Sequence, residues 1–152
     1  MKPRIARWLF LLAFSVPLAA GGVRPPLCSA AEPAFKITDL KICQDVDKDR
    51  NPIKITNEFP AGTSAVYAWF AWEGGKAGFQ ITAKWHYATE DIHILDFPVT
   101  LTRTSDRGVI ILRMGTGKTL PPGSYRLDIE AGGKVIKSAL FTALPPAQRP
   151  PS

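Results

Sequence analysis

The sequence predicts an all-β domain, a single antiparallel two-layer sandwich of about seven strands. Three observations predict it. Short runs rich in Val, Ile, Tyr, Phe, Trp and Thr recur from residue 35 to 143, separated by Gly, Pro, Asn and Asp. Several of these runs alternate apolar and polar residues with the period of a half-buried strand. No comparable stretch repeats its apolar residues at helical spacing.

Phe35 to Cys43 opens the series, with apolar residues at 35 and 37 and then at 40 and 42. That change of parity predicts a bulge near Asp39. Ser64 to Trp72 is apolar on both faces, as in a central strand. In residues 79–87, Phe79, Ile81, Ala83, Trp85 and Tyr87 share one face, and Gln80, Thr82, Lys84 and His86 share the other. Leu95, Phe97, Val99 and Leu101 form a further alternating set, and Pro98 within it places that strand at a sheet edge or bend. Val109 to Met114 follows, and then Tyr125, Leu127 and Ile129 alternate with Arg126, Asp128 and Glu130. Gly132-Gly133 supplies the positive φ of a tight hairpin into Val135 to Ala143.

Two motifs sharpen the reading. Trp85 lies in the third strand and faces inward, and Leu120-Pro-Pro-Gly-Ser-Tyr125 leads into the sixth. Over residues 34–144 the chain resembles immunoglobulin-like and fibronectin type III-like β-sandwich domains. The resemblance implies a core tryptophan at Trp85 and a corner at Tyr125, whose hydroxyl bonds back to the upstream backbone. It departs from antibody domains because no cysteine pair flanks Trp85. Resemblance of this kind implies a fold and says little about function.

The two ends read differently. Residues 1–7 carry three positive charges, and Trp8 to Ala20 is a thirteen-residue apolar run broken by Ser15 and Pro17. A bilayer span needs about 20 apolar residues, so this is a cleavable export signal of bacterial style rather than an anchor. Residues 1–31 are assigned to it, with cleavage before Glu32 and a cut after Ala20 or Gly21 as the alternative. The mature chain then has no transmembrane span and is periplasmic or secreted. Cys28 follows Leu27, with Pro25 three residues before it, a poor lipidation site. If Cys28 stays on the chain, a bridge to Cys43 is open. Residues 145–152 are proline-rich and read as a disordered tail.

Charge argues against nucleic acid. Four of the 19 Lys and Arg lie in the first 31 residues, which hold no acid, and the other 15 face 13 acids, so a net +6 falls to +2. A phosphate-binding face needs clustered cations. Gly115-Thr-Gly-Lys-Thr119 resembles the end of a phosphate loop, but Leu112 stands where the first glycine belongs. Pro121 and Pro122 also forbid the helix that must follow. It reads as a turn. Asp45 to Asn51 has oxygen ligands at alternate positions, as calcium loops do, yet Arg50 replaces the required glycine. His86 and His93 flank a hairpin, and parity places them on opposite faces. No Gly-x-Ser-x-Gly elbow is present, and Cys43 has no evident histidine partner. The reading is therefore no enzyme and no cofactor.

Seven of the fifteen aromatic residues fall between Tyr67 and Tyr87. If Val66, Ala68, Phe70 and Trp72 face the core, Tyr67 and Trp69 form an outward patch. The chain then reads as a non-catalytic binding or accessory module, with another exported or envelope protein as partner through a sheet face or edge. The alternatives are a carbohydrate-binding sandwich using Tyr67 and Trp69, and an extracytoplasmic calcium or metal binder.

Overall fold

A computed structural model describes residues 34–148. The expected export signal and cleavage site, Cys28 and the last four residues of the expected tail lie outside the described residues. Within them the chain forms nine strands and no helix: β1 (Lys36–Val46), β2 (Pro52–Ile55), β3 (Glu58–Phe59), β4 (Ala65–Glu73), β5 (Gln80–Tyr87), β6 (Ile92–Thr100), β7 (Asp106–Arg113), β8 (Gly123–Ala131) and β9 (Lys134–Ala143). They make two sheets, one in the order β2-β1-β4-β7 and one in the order β3-β9-β8-β5-β6. All pairings are antiparallel except that of β3 with β9.

The two strands beyond the predicted seven are β2 and β3. They are four and two residues long, too short to show a period of two. Their edge positions come from the neighbours they dock on. The predicted bulge lies in β1, where the register against β4 shifts between Ile37 and Asp39. Gly132 and Gly133 have φ of +58° and +77°, the pair of positive values that a two-residue hairpin requires.

The core lies between the sheets. Val66, Ala68, Phe70 and Trp72 from β4 and Ile110 and Leu112 from β7 meet Ile81, Ala83 and Trp85 from β5, Leu127 and Ile129 from β8, and Phe141 from β9. Phe141 is its hub. Tyr125 stacks on it at 4.9 Å, while Phe59 and Trp85 meet it edge-on at 5.5 and 6.1 Å.

The edge strand β6 departs from expectation. Leu95 and Phe97 pair with Trp85 and Ala83 and so share their inward face, yet they are 37% and 45% exposed. A fifth strand opposite a four-stranded sheet has too little above it to cover its side chains. Only Leu101, past the strand end, is fully buried.

Tyr125 is buried, and its hydroxyl donates to the Pro121 carbonyl, four residues upstream, at 2.7 Å. Tyr125→Phe keeps the ring and should cost about 0.5–1.5 kcal/mol. Burial pushes the hydroxyl pKa from its ordinary value near 10 up to about 12, with Tyr87 adding to the shift. The unfolded chain therefore ionises first. The stabilisation that Tyr125 provides is full below pH 10 and falls away as pH rises toward 12. The gap between wild type and Tyr125→Phe in denaturant unfolding should narrow over that range. A gap that stays constant from pH 9 to 12 would contradict it.

Candidate functional site

Because β4 turns its even-numbered residues inward, Tyr67, Trp69 and Ala71 lie on the outer face of the four-stranded sheet. Register then decides their company. Tyr67 pairs with Cys43 on one side and Ile111 on the other, and Cys43 pairs in turn with Ile55. One row thus runs across four strands, from Ile55 through Cys43 and Tyr67 to Ile111. The next row places Lys41, Trp69 and Val109 side by side. Ile55, Ile53 and Ile111 are 56%, 41% and 38% exposed, and Tyr67 and Trp69 are half-buried. Outer faces of antiparallel sheets usually carry polar side chains, so this row stands out.

The two aromatic residues are held rather than loose. The Trp69 indole N–H donates to the Arg50 carbonyl at 2.8 Å, and the Lys41 ammonium sits 5.0 Å over its ring in a cation–π contact. The Tyr67 hydroxyl accepts from Arg113 Nη2 at 3.4 Å. Cys43 lies fully buried in this row, where its thiol donates to the Tyr67 carbonyl at 3.6 Å. Burial pushes its pKa up, which keeps the thiol protonated and a poor nucleophile.

The loop before β2 is built around Asp47. Its carboxylate accepts the backbone N–H groups of Asp49 and Asn51, both at 2.8 Å, and the Asn51 amide at 2.9 Å. Those bonds, the Asn51 backbone first, lower its pKa. Asp47 thus serves as the loop's own fastener, and the closed loop presents the Arg50 carbonyl to Trp69.

His86 and His93 correct the expectation drawn from parity. The register shifts between Trp85 and His86, so that His93 pairs with His86 and their rings lie 5.2 Å apart. The bulge turns His93 to the outer face of the five-stranded sheet. There His86 Nε2 lies 3.6 Å from Asp128, and His93 Nε2 lies 3.3 Å from Asp96. Buried Asp128 also accepts from Ser138 Oγ at 2.6 Å and Arg126 Nε at 2.9 Å. This is a charge-paired polar face. Among the described residues no three His, Cys, Asp or Glu are placed to hold a metal ion.

Gly115 to Thr119 is a turn. The Lys118 N–H donates to the Gly115 carbonyl at 2.9 Å, and Gly117 has a φ of +72°, the arrangement of a type II turn. Buried Leu120 follows, its N–H donating to the Thr63 carbonyl at 2.8 Å.

Ile53, Ile55, Val109 and Ile111 were not foreseen as part of the patch. Alternation marks the face a residue takes, but only strand order marks which residues share that face.

No family model matches the sequence, and no curated protein matches it. Among solved structures, the fold is similar to that of an immunoglobulin-like protein from Pseudomonas aeruginosa. The TM-score is 0.53 at 14% identity, over 74% of this chain and 98% of that one. The chain has an immunoglobulin-like fold. A Niemann-Pick type C2 protein from Japanese carpenter ant matches at TM-score 0.43 and 10% identity, over 75% of this chain and 94% of that one. An alkylpurine DNA glycosylase from Pseudomonas fluorescens matches at TM-score 0.47 and 13% identity, over 72% of this chain and 30% of that one.

Proposed function

We propose that the chain is an exported, non-catalytic binding module that docks a protein partner on the outer face of its four-stranded sheet. The observation that carries this reading is the row Ile55, Tyr67 and Ile111, flanked by Trp69 and Val109. Contiguous apolar side chains exposed on a sheet face mark interaction sites. Anchored aromatic residues keep their ordering cost low on binding.

A protein fits better than a sugar. Aliphatic Ile55 and Ile111 offer nothing to hydroxyl groups, while Trp69 already has Lys41 over its ring and Arg50 on its N–H. A face also fits better than an edge. Pro98 sits mid-strand in edge strand β6 and has no N–H to give an incoming strand.

Export rests on the charged, apolar and small-residue pattern of residues 1–31. Protein purified from the exported fraction, with its N-terminus near Glu32, is therefore the material to test. Used as bait against envelope proteins, it should lose at least about tenfold in partner affinity with Ile111→Asp. Lys134→Glu, in the β8–β9 hairpin, should change nothing. A folded Ile111→Asp variant that binds like wild type overturns the reading, as does selective binding on a glycan array.

A further inference from the structure

At one end of the same face lies a groove of about 620 Å³ between the start of β4 and the turn after β7. Ser64 and Tyr67 line one side, and Arg113, Lys118 and Thr119 line the other. No acidic residue lines it. Some cations elsewhere sit beside acids, Lys36 beside Glu73, Lys41 beside Asp39, Lys84 beside Glu130 and Arg103 beside Asp106. Among the described residues neither Arg113 nor Lys118 is ion-paired. The Arg113 guanidinium instead rests on the neutral Tyr67 hydroxyl, which steadies it without compensating its charge. Two uncompensated cations along one wall of a groove lined with hydroxyl groups form an anion-receiving site, and a guanidinium fork matches a carboxylate in both shape and charge.

Tyr67 belongs to both the groove and the apolar row. A ligand seated on Ile55 and Ile111 therefore runs into the cations without leaving the sheet. We propose that the groove takes a carboxylate-bearing polypeptide segment of the partner that docks on the adjoining apolar face. Arg113 and Lys118 receive its Asp or Glu side chains, and Tyr67 divides the charged part of the site from the apolar part. This inference rests on the face being a protein-docking surface and specifies the chemistry of what docks there. Continuity with aliphatic side chains favours a polypeptide over an acidic glycan, which would find no use for Ile55 and Ile111.

The test uses a fluorescent synthetic peptide alternating Glu and Leu, the same peptide with Gln for Glu, and an oligogalacturonate as acidic sugar. Binding is followed by anisotropy at rising ionic strength. The Glu peptide should bind wild type about tenfold more tightly than the Gln peptide at low salt, with the advantage falling as salt rises. The double variant Arg113→Glu with Lys118→Glu should erase that advantage while leaving Gln-peptide binding unchanged. Ile111→Asp should weaken both peptides alike. Circular dichroism confirms that each variant is folded. If the double variant leaves the Glu-peptide preference intact, or the Glu and Gln peptides bind wild type equally, the groove inference is overturned and the docking face stands. If Ile111→Asp changes neither peptide, the docking face itself fails. Tighter binding of the oligogalacturonate than of the Glu peptide overturns the polypeptide assignment.

Discussion

Trp85→Ala should lower the free energy of unfolding by about 3–5 kcal/mol, the range of large-to-small changes at sites that cannot collapse. Trp85 is fully buried on β5 and meets the Phe141 ring edge-on. Strands on both sides of β5 pair with it through their backbones, so the walls of the resulting cavity cannot move inward. One feature works against the loss. The indole Nε1–H is buried without a hydrogen-bond partner among the described residues, and an unpaired buried donor costs about 1–3 kcal/mol. Trp85→Phe removes that donor and keeps a ring against Phe141, so it should cost less than half as much as alanine. Denaturant unfolding with an unchanged slope checks both. A loss below about 1 kcal/mol for Trp85→Ala would show that the ring does not fill the core.

Gly123→Ala is the second large effect, expected at about 2–4 kcal/mol from backbone strain and overpacking together. Gly123 opens β8 with a φ of +147°, a region that side chains disfavour. A Cβ there would lie 2.6 Å from Tyr87 Cε2 and hydroxyl and 2.7 Å from Thr89 Oγ1. Both oxygens are engaged. The Tyr87 hydroxyl donates to the Pro122 carbonyl at 2.7 Å, and Thr89 Oγ1 accepts the Ser124 N–H at 2.8 Å. The methyl group therefore breaks the fastening of the Tyr125 corner as well as straining its own residue. Gly62→Ala provides the comparison, because Gly62 also has positive φ, +89°, but meets nothing within 4 Å. If the two variants melt together, the crowding at Gly123 is not real.

The central strands were legible in the sequence because period-two alternation alone decides them. Ile81, Ala83 and Trp85 face inward as residues 79–87 predict. In β4, apolar on both faces, composition left the orientation conditional, and it is Val66, Ala68, Phe70 and Trp72 that turn inward and leave Tyr67 and Trp69 outside. What failed depended on information that no single strand contains. The orientation of His93 turned on a bulge in β6, and one extra residue reverses every side chain beyond it. The exposure of Leu95 and Phe97 turned on how many strands lie in the opposite sheet. Ile55 joined the patch because four residues of β2 dock on β1, a pairing set by partner rather than by pattern. The groove at Arg113 needed the turn after β7 to be brought beside β4, across a separation of some fifty residues in the chain.

The parallel pairing of β3 with β9 has a consequence in time. Phe59 is emitted early in synthesis, yet its partner residues Thr142 and Ala143 and the ring of Phe141 come more than eighty residues later. Phe141 is also the ring against which Trp85 and Tyr125 close. A nascent chain that has not yet delivered β9 holds three large aromatic side chains with no common centre, and the closure entropy of so long a loop is repaid only at the end. The aromatic centre of the core can therefore close only after β9 has been made.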